Sequence, residues 1–173
     1  MSNQFKTRLK QIRDASERRT VASQKARSCE DMERSQKTFQ GFEFREKVEA
    51  IIDELSEGFS AEADGFELSR GFYESKYMLA LRLEEELTDL EGDKGNYFSR
   101  IVFLLDPHIA DNAFEVQCRK TIRNRDLETT SHEAHMVTDD LASIAGFLED
   151  QFVAFAEGYF GEMDARRPTG APT

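Results

Sequence analysis

Cysteine is scarce in this 173-residue chain, which holds two, Cys29 and Cys118. They stand 89 residues apart without CxxC spacing, which excludes a disulfide framework and a zinc knuckle as organising devices. Proline is nearly as scarce, with three in all, the first at Pro107, and no glycine precedes Gly41. Nothing in the first part of the chain therefore obliges a helix to stop. No apolar run approaches the roughly 18 residues of a membrane span. The opening Met1-Ser-Asn-Gln-Phe-Lys has no apolar h-region, so the expected location is the cytoplasm. G-x-x-x-x-G-K-[ST], G-x-G-x-x-G after a strand and G-x-S-x-G are missing too, which weakens an enzymatic reading without removing it.

Charge is abundant and unevenly placed. The chain carries 34 acidic against 23 basic side chains, a formal net charge of −11. Residues 1–37 hold ten Lys/Arg and five Asp/Glu, and the rest hold thirteen and twenty-nine, so a basic arm of +5 precedes an acidic body of −16. The expected organisation is a helical arm over 1–38, a globular α+β domain over 39–162 and a disordered tail over 163–173, where Arg166-Arg-Pro-Thr-Gly-Ala-Pro-Thr ends the chain. An apolar content of 39% with 14 Phe is enough for a core in the body.

Phe5, Leu9, Ile12 and Ala15 recur at helical spacing in the arm, and Ala22, Ala26, Cys29 and Met32 resume a similar but thin stripe. No heptad with branched residues at both seam positions is sustained. A helix from Phe5 to Phe59 would be about 80 Å long, against a radius of gyration near 16 Å for a compact chain of this size. The sequence thus predicts a long helix that either breaks near Gly41 and folds back, or projects. Phe39, Phe42, Phe44, Val48, Ile51, Ile52, Leu55 and Phe59 give its second part a broad apolar face.

After two glycines, Gly58 and Gly65, the period falls to two. Phe66, Leu68 and Phe72 suggest a first strand, Tyr77 to Glu84 a second, and Tyr97 to Leu105 a third that is apolar on both sides. Thr88 to Asn96 reads as an exposed loop, and Asp106-Pro107 as the start of a turn. Phe114, Val116, Cys118 and Ile122 should face a core, with Glu115, Gln117, Arg119, Thr121 and Arg123 facing water; 127–136 is a candidate fifth strand. Thr138 can cap a last helix whose Leu141, Ile144, Ala145, Leu148, Phe152, Phe155 and Tyr159 make one face, widened by Phe147, Val153 and Phe160, with Gly161 as its stop.

Chemistry-bearing residues do not converge on a motif. His132 and His135 are three apart, a spacing that would pair them on a helix with Asp139 or Glu128 near by; as a strand the segment sends them to opposite faces, so no metal site is expected. Cys118 reads as an inert core thiol and Cys29 as a packing residue of the arm. Glu84-Glu85-Glu86 reads as a solvated strand exit. The arm's basic residues lack interleaved aromatics between Lys6 and Lys37 and stand beside an acidic body, so no nucleic-acid partner is expected.

The expected fold is α+β: a long N-terminal helix, an antiparallel sheet of four to five strands, and a C-terminal amphipathic helix packed on the sheet. This small, acidic, helix-flanked layout resembles the architecture of type III secretion chaperones, a likeness that transfers no function. The expected function is a non-catalytic cytoplasmic binding or adaptor protein, chaperone-like or a scaffold. It forms a homodimer through its helices and offers Phe5, Leu9, Ile12, Phe147, Val153 and Phe160 to partners. No cofactor, nucleic acid or membrane is expected. The alternative is a small enzyme or ligand-binding domain with a His/carboxylate site near residues 128–140.

Overall fold

The computed structural model describes the backbone over residues 3–88, 94–136 and 140–165, and the side chains of residues 10, 13–87, 94–136 and 140–161. Helix α1 (Asn3–Glu62) is followed by strands β1 (Glu67–Tyr73), β2 (Lys76–Thr88), β3 (Lys94–His108), β4 (Ala113–Ile122), β5 (Arg125–Asp126) and β6 (Thr130–His135), and then by helix α2 (Leu141–Ala165). The chain divides into two compact units, Met1–Phe39 and Gln40–Thr173.

The described part of the first unit is helix alone. Three of its hydroxyls bond back to their own helix, Thr20 to the Ser16 carbonyl at 3.0 Å, Ser35 to that of Asp31 at 2.8 Å and Thr38 to that of Arg34 at 2.8 Å. The helix is continuous through Gly41, and the break entertained there does not occur. A glycine within a helix costs only about 1 kcal/mol, which neighbouring turns absorb.

In the second unit six strands form one antiparallel sheet in the order β1-β2-β3-β4-β5, with β6 also paired to β4. Strands β1 to β4 are a meander, and its first turn is made by Glu74 (φ 47°) and Ser75 (φ 72°), the left-handed pair that a two-residue hairpin needs. Between α1 and β1 the chain reverses at Gly65 (φ 89°), where a side chain would also sit 3.0 Å from Leu83 Cδ1.

One face of the sheet carries the core. Phe44, Val48, Ile52 and Phe59 of α1 meet Leu79, Leu81, Ile101, Phe103, Leu105, Phe114, Val116 and Ile122 of the sheet, and Ile144, Leu148, Phe152, Phe155 and Tyr159 of α2. Aromatic contacts join the two helices to each other and to the sheet: Phe44 to Phe114 at 5.1 Å, Phe59 to Phe155 at 5.4 Å, and Phe103 to Phe152 at 5.4 Å. Gly158 lets α2 lie close to β4, since a Cβ there would stand 2.5 Å from Ile122 Cδ1. The opposite face has a small cluster of its own, Ala80, Val102 and Leu104 with Met78 packed against it, which is why β3 is apolar on both sides.

Several local expectations change. Asp106 and Pro107 do not open a turn but continue β3, paired with Glu115 and Phe114. Strands β2 and β3 reach Thr88 and Lys94, so the loop is shorter than expected; residues 89–93 lie outside the described residues. Helix α2 passes through Gly161 to Ala165, while Thr138, Asp139 and the tail from Arg166 lie outside the described residues. Phe39, Phe42 and Phe72 are exposed and not part of the core.

Thr121 and Arg123 are buried, against the alternation that turned them to water. The reason is the turn after β4. Arg123 (φ 46°) and Asn124 (φ 66°) fold back along β3, the Arg123 amide donating to Ser99 Oγ at 3.0 Å and the Asn124 amide to the Phe98 carbonyl at 3.0 Å. The guanidinium then lies 3.6 Å from Glu85 and 5.8 Å from the Tyr159 ring. Thr121 donates to Asp126 at 2.7 Å. Glu85 is accordingly half-buried and accepts the Tyr159 hydroxyl, so the 84–86 run is not wholly a solvated exit.

Candidate functional site

The residues expected to meet partners fall into two groups. Phe147 and Phe160 are half-buried at the rim of the core: Phe147 stacks on His132 at 5.3 Å, and Phe160 stands 6.0 Å from Phe59 and 5.4 Å from Tyr159. Val153 turns outward, 57% exposed, on a strip of α2 with exposed Glu149, Asp150, Ala154 and Glu157. The side chains of Phe5, Leu9 and Ile12 lie outside the described residues.

Within the arm, every side chain from residue 13 to residue 36 is exposed except that of Asp14, which is half-covered. Val21 is 63% and Met32 71% exposed, and Cys29 is a free, exposed thiol. An Arg13–Glu17 ion pair at 3.6 Å follows the helical i, i+4 spacing.

The pair His132 and His135 is separated by β6. His132 faces α2, its Nε2 2.8 Å from Ser143 Oγ and its ring on Phe147, whereas His135 is exposed and alternates to the other face. The 128–140 segment thus does not gather its imidazoles.

Cys118 is fully buried, and burial pushes its thiol up to about 12 despite the opposing charge of Lys120. A thiol so held is protonated and inert at neutral pH. Lys120 is buried in the inward register of β4; its ammonium donates to Gln151 Oε1 of α2 at 2.8 Å, and Thr130 donates to the same oxygen at 2.7 Å.

The face of the sheet without helices gathers the groups that sequence reasoning left scattered. Arg82 and Arg100 approach the Phe98 ring at 5.4 and 5.2 Å, and Arg119 approaches Tyr73 at 5.2 Å. Where β3 and β4 join, Lys76 Nζ sits 3.1 Å from Asp106 Oδ2 and 3.2 Å from Glu115 Oε2. His108 Nε2 stands 3.8 and 3.7 Å from the same two oxygens. The Lys76 ammonium is held above its ordinary pKa, chiefly by its hydrogen bond to Asp106. One signal could have found this cluster: Asp106 and His108 alternate onto one face, and a four-residue turn brings Glu115 opposite Asp106.

These observations define an α+β protein whose antiparallel sheet is covered by helices on one face. No protein-family model, curated protein or solved structure matches the chain in comparison. Among the described residues no helix is long and apolar enough to cross a membrane.

Proposed function

We propose that this protein is a non-catalytic binding or adaptor protein that associates with itself through its helices. The basic arm of one copy lies on the acidic helical surface of another. The carrying observation is the exposure of the arm: from residue 15 to residue 36 no described side chain is covered, yet the segment is helical throughout. Intrinsic propensity leaves a helix of this kind marginal in water, and tertiary packing is what normally stabilises one. A partner laid along Val21 and Met32 supplies that packing.

Charge selects the occupant. A second arm would set +5 against +5, whereas the outward strip of α2 presents Glu149, Asp150 and Glu157 around Val153 and Ala154. Individual exposed ion pairs contribute only about 0–1 kcal/mol but fix orientation and exclude like-charged partners. The same charges oppose polyanions, so nucleic acid is not the partner. Two unpaired cysteines fit action in the reducing cytoplasm.

Light scattering on the full chain at tens of micromolar tests the reading. The expected result is a dimer that dissociates as salt rises toward 1 M, where the Debye length is about 3 Å. Val153→Asp should give monomers with an unchanged circular dichroism spectrum in the strand region. A monomeric mass at low salt, unaltered by deleting residues 1–38, overturns it.

A further inference from the structure

We propose that Asp106, His108 and Glu115 form a binding site for a divalent transition cation of the zinc class, with Lys76 as the internal cation that the metal displaces. It rests on none of the helical contacts argued above.

The sheet register builds the site. Asp106 of β3 pairs with Glu115 of β4, and Glu115 pairs in turn with Glu133 of β6, so three carboxylates form one row across three strands on the face without helices. Directly opposed like charges destabilise a sheet. Lys76 supplies one positive charge, bonded to Asp106 and Glu115, and leaves the row with an excess of negative charge. The next row holds His108, which pairs with Ala113. A small residue there leaves the imidazole room to lean toward the carboxylates, and the donor atoms of Asp106, His108 and Glu115 all lie within 4.8 Å of one another.

The spacing suits a metal. Zinc bonds of about 2.0–2.1 Å to nitrogen and to carboxylate oxygen place tetrahedral ligand atoms about 3.4 Å apart. The imidazole nitrogen is 3.8 and 3.7 Å from the two oxygens, so shifts of a few tenths of an ångström complete the geometry. One nitrogen and two oxygens favour zinc, cobalt or manganese over the all-oxygen preference of calcium. Three protein ligands leave a fourth position for water, and hence for an exchangeable ligand.

Lys76 decides how tightly the site binds. Its ammonium occupies the space between the carboxylates that the metal would enter, and its side chain is part-exposed on a flexible stem that can swing into solvent. Exchange of a single for a double charge leaves the Asp106–Glu115–Glu133 row closer to neutral. The site is therefore a competitive one, in which the metal must displace Lys76.

Zinc chloride titrated calorimetrically into the full, untagged chain at pH 7 tests this. One equivalent is expected to bind, at least tenfold more weakly in His108→Ala and in Glu115→Gln and more tightly in Lys76→Met. His132→Ala, altered on the opposite face of β6, should bind as the parent does. Circular dichroism checks that each variant is folded. No saturable binding, or binding unchanged in folded His108→Ala and Glu115→Gln, overturns the proposal. So does equal loss in His132→Ala.

Discussion

The arm and the first element of the body belong to one helix and obey different rules. From residue 3 to residue 39 the helix draws Thr20, Ser35 and Thr38 back to its own carbonyls and covers almost none of its described side chains. Some turns later the same α1 buries Phe44, Val48 and Ile52 in the core of the second unit. Helical propensity is similar in the two stretches, so the difference lies in apolar side chains at i, i+3 and i+4. Propensity sets where a helix can run, and the apolar face sets where it is held.

The sharpest test of that contrast is mutational. Phe155 touches Phe59 and Phe66 and is fully buried, so Phe155→Ala should cost about 3–5 kcal/mol in urea unfolding. Val21→Ala or Met32→Ala, on exposed arm positions, should change monomer stability by less than about 0.5 kcal/mol. Equal effects would erase the distinction.

The two thiols sharpen it. Exposed Cys29 should react with a disulfide reagent at pH 8 without delay, and buried Cys118 only as fast as the body opens. The sign of the pH dependence follows from the raised values of Cys118 and Tyr159, both caused first by burial. The folded state retains these protons. Stability is therefore full below the ordinary value of 9.0 for the thiol and 10.0 for the phenol, and falls as pH rises toward the folded values, about 12 for Cys118. Urea midpoints that stay level from pH 8 to pH 11 would contradict this.

The smallest effect is expected at Arg70. It reaches from β1 to Glu49 at 3.0 Å and to Asp53 at 2.5 Å, both on α1, but the group is partly exposed. Arg70→Ala should cost only about 0–1 kcal/mol, with the loss reduced further by salt. A larger loss would mean that this ion pair, and not the apolar face alone, fastens α1 to the sheet.

Much of the fold was legible because burial repeats with simple periods. The alternation of Leu79 and Leu81, the doubly apolar run of β3 and the 3.6-residue rhythm from Ile144 to Tyr159 all mark elements that build the core, although which residues of β3 face the helices is settled only by its register. The failures are at places where one residue departs from the regular path. Arg123 adopts a left-handed conformation that alternation cannot anticipate, and its side chain turns in beside Glu85 and Tyr159. Pro107 suggested a turn, yet it pairs with Phe114 within β3. The Asp106–His108–Glu115 cluster was hidden for a related reason. Its members become neighbours only once the extent of β3 and the register of β4 are known.

The position of α2 in chain order bears on how the protein is made. Strands β1 to β4 pair with their immediate sequence neighbours, so the meander can assemble while synthesis continues. Helix α1 is already made and covers part of the meander's core face, but the rest waits for Ile144, Leu148, Phe152, Phe155 and Tyr159, which emerge from the ribosome after every strand. At roughly 5–20 residues per second, the nascent sheet spends a few seconds with surfaces such as Phe103, which packs on Phe152 of α2, open to other apolar chains. Aggregation during synthesis, more than unfolding of the finished molecule, is therefore where mutations in α2 would first reduce yield.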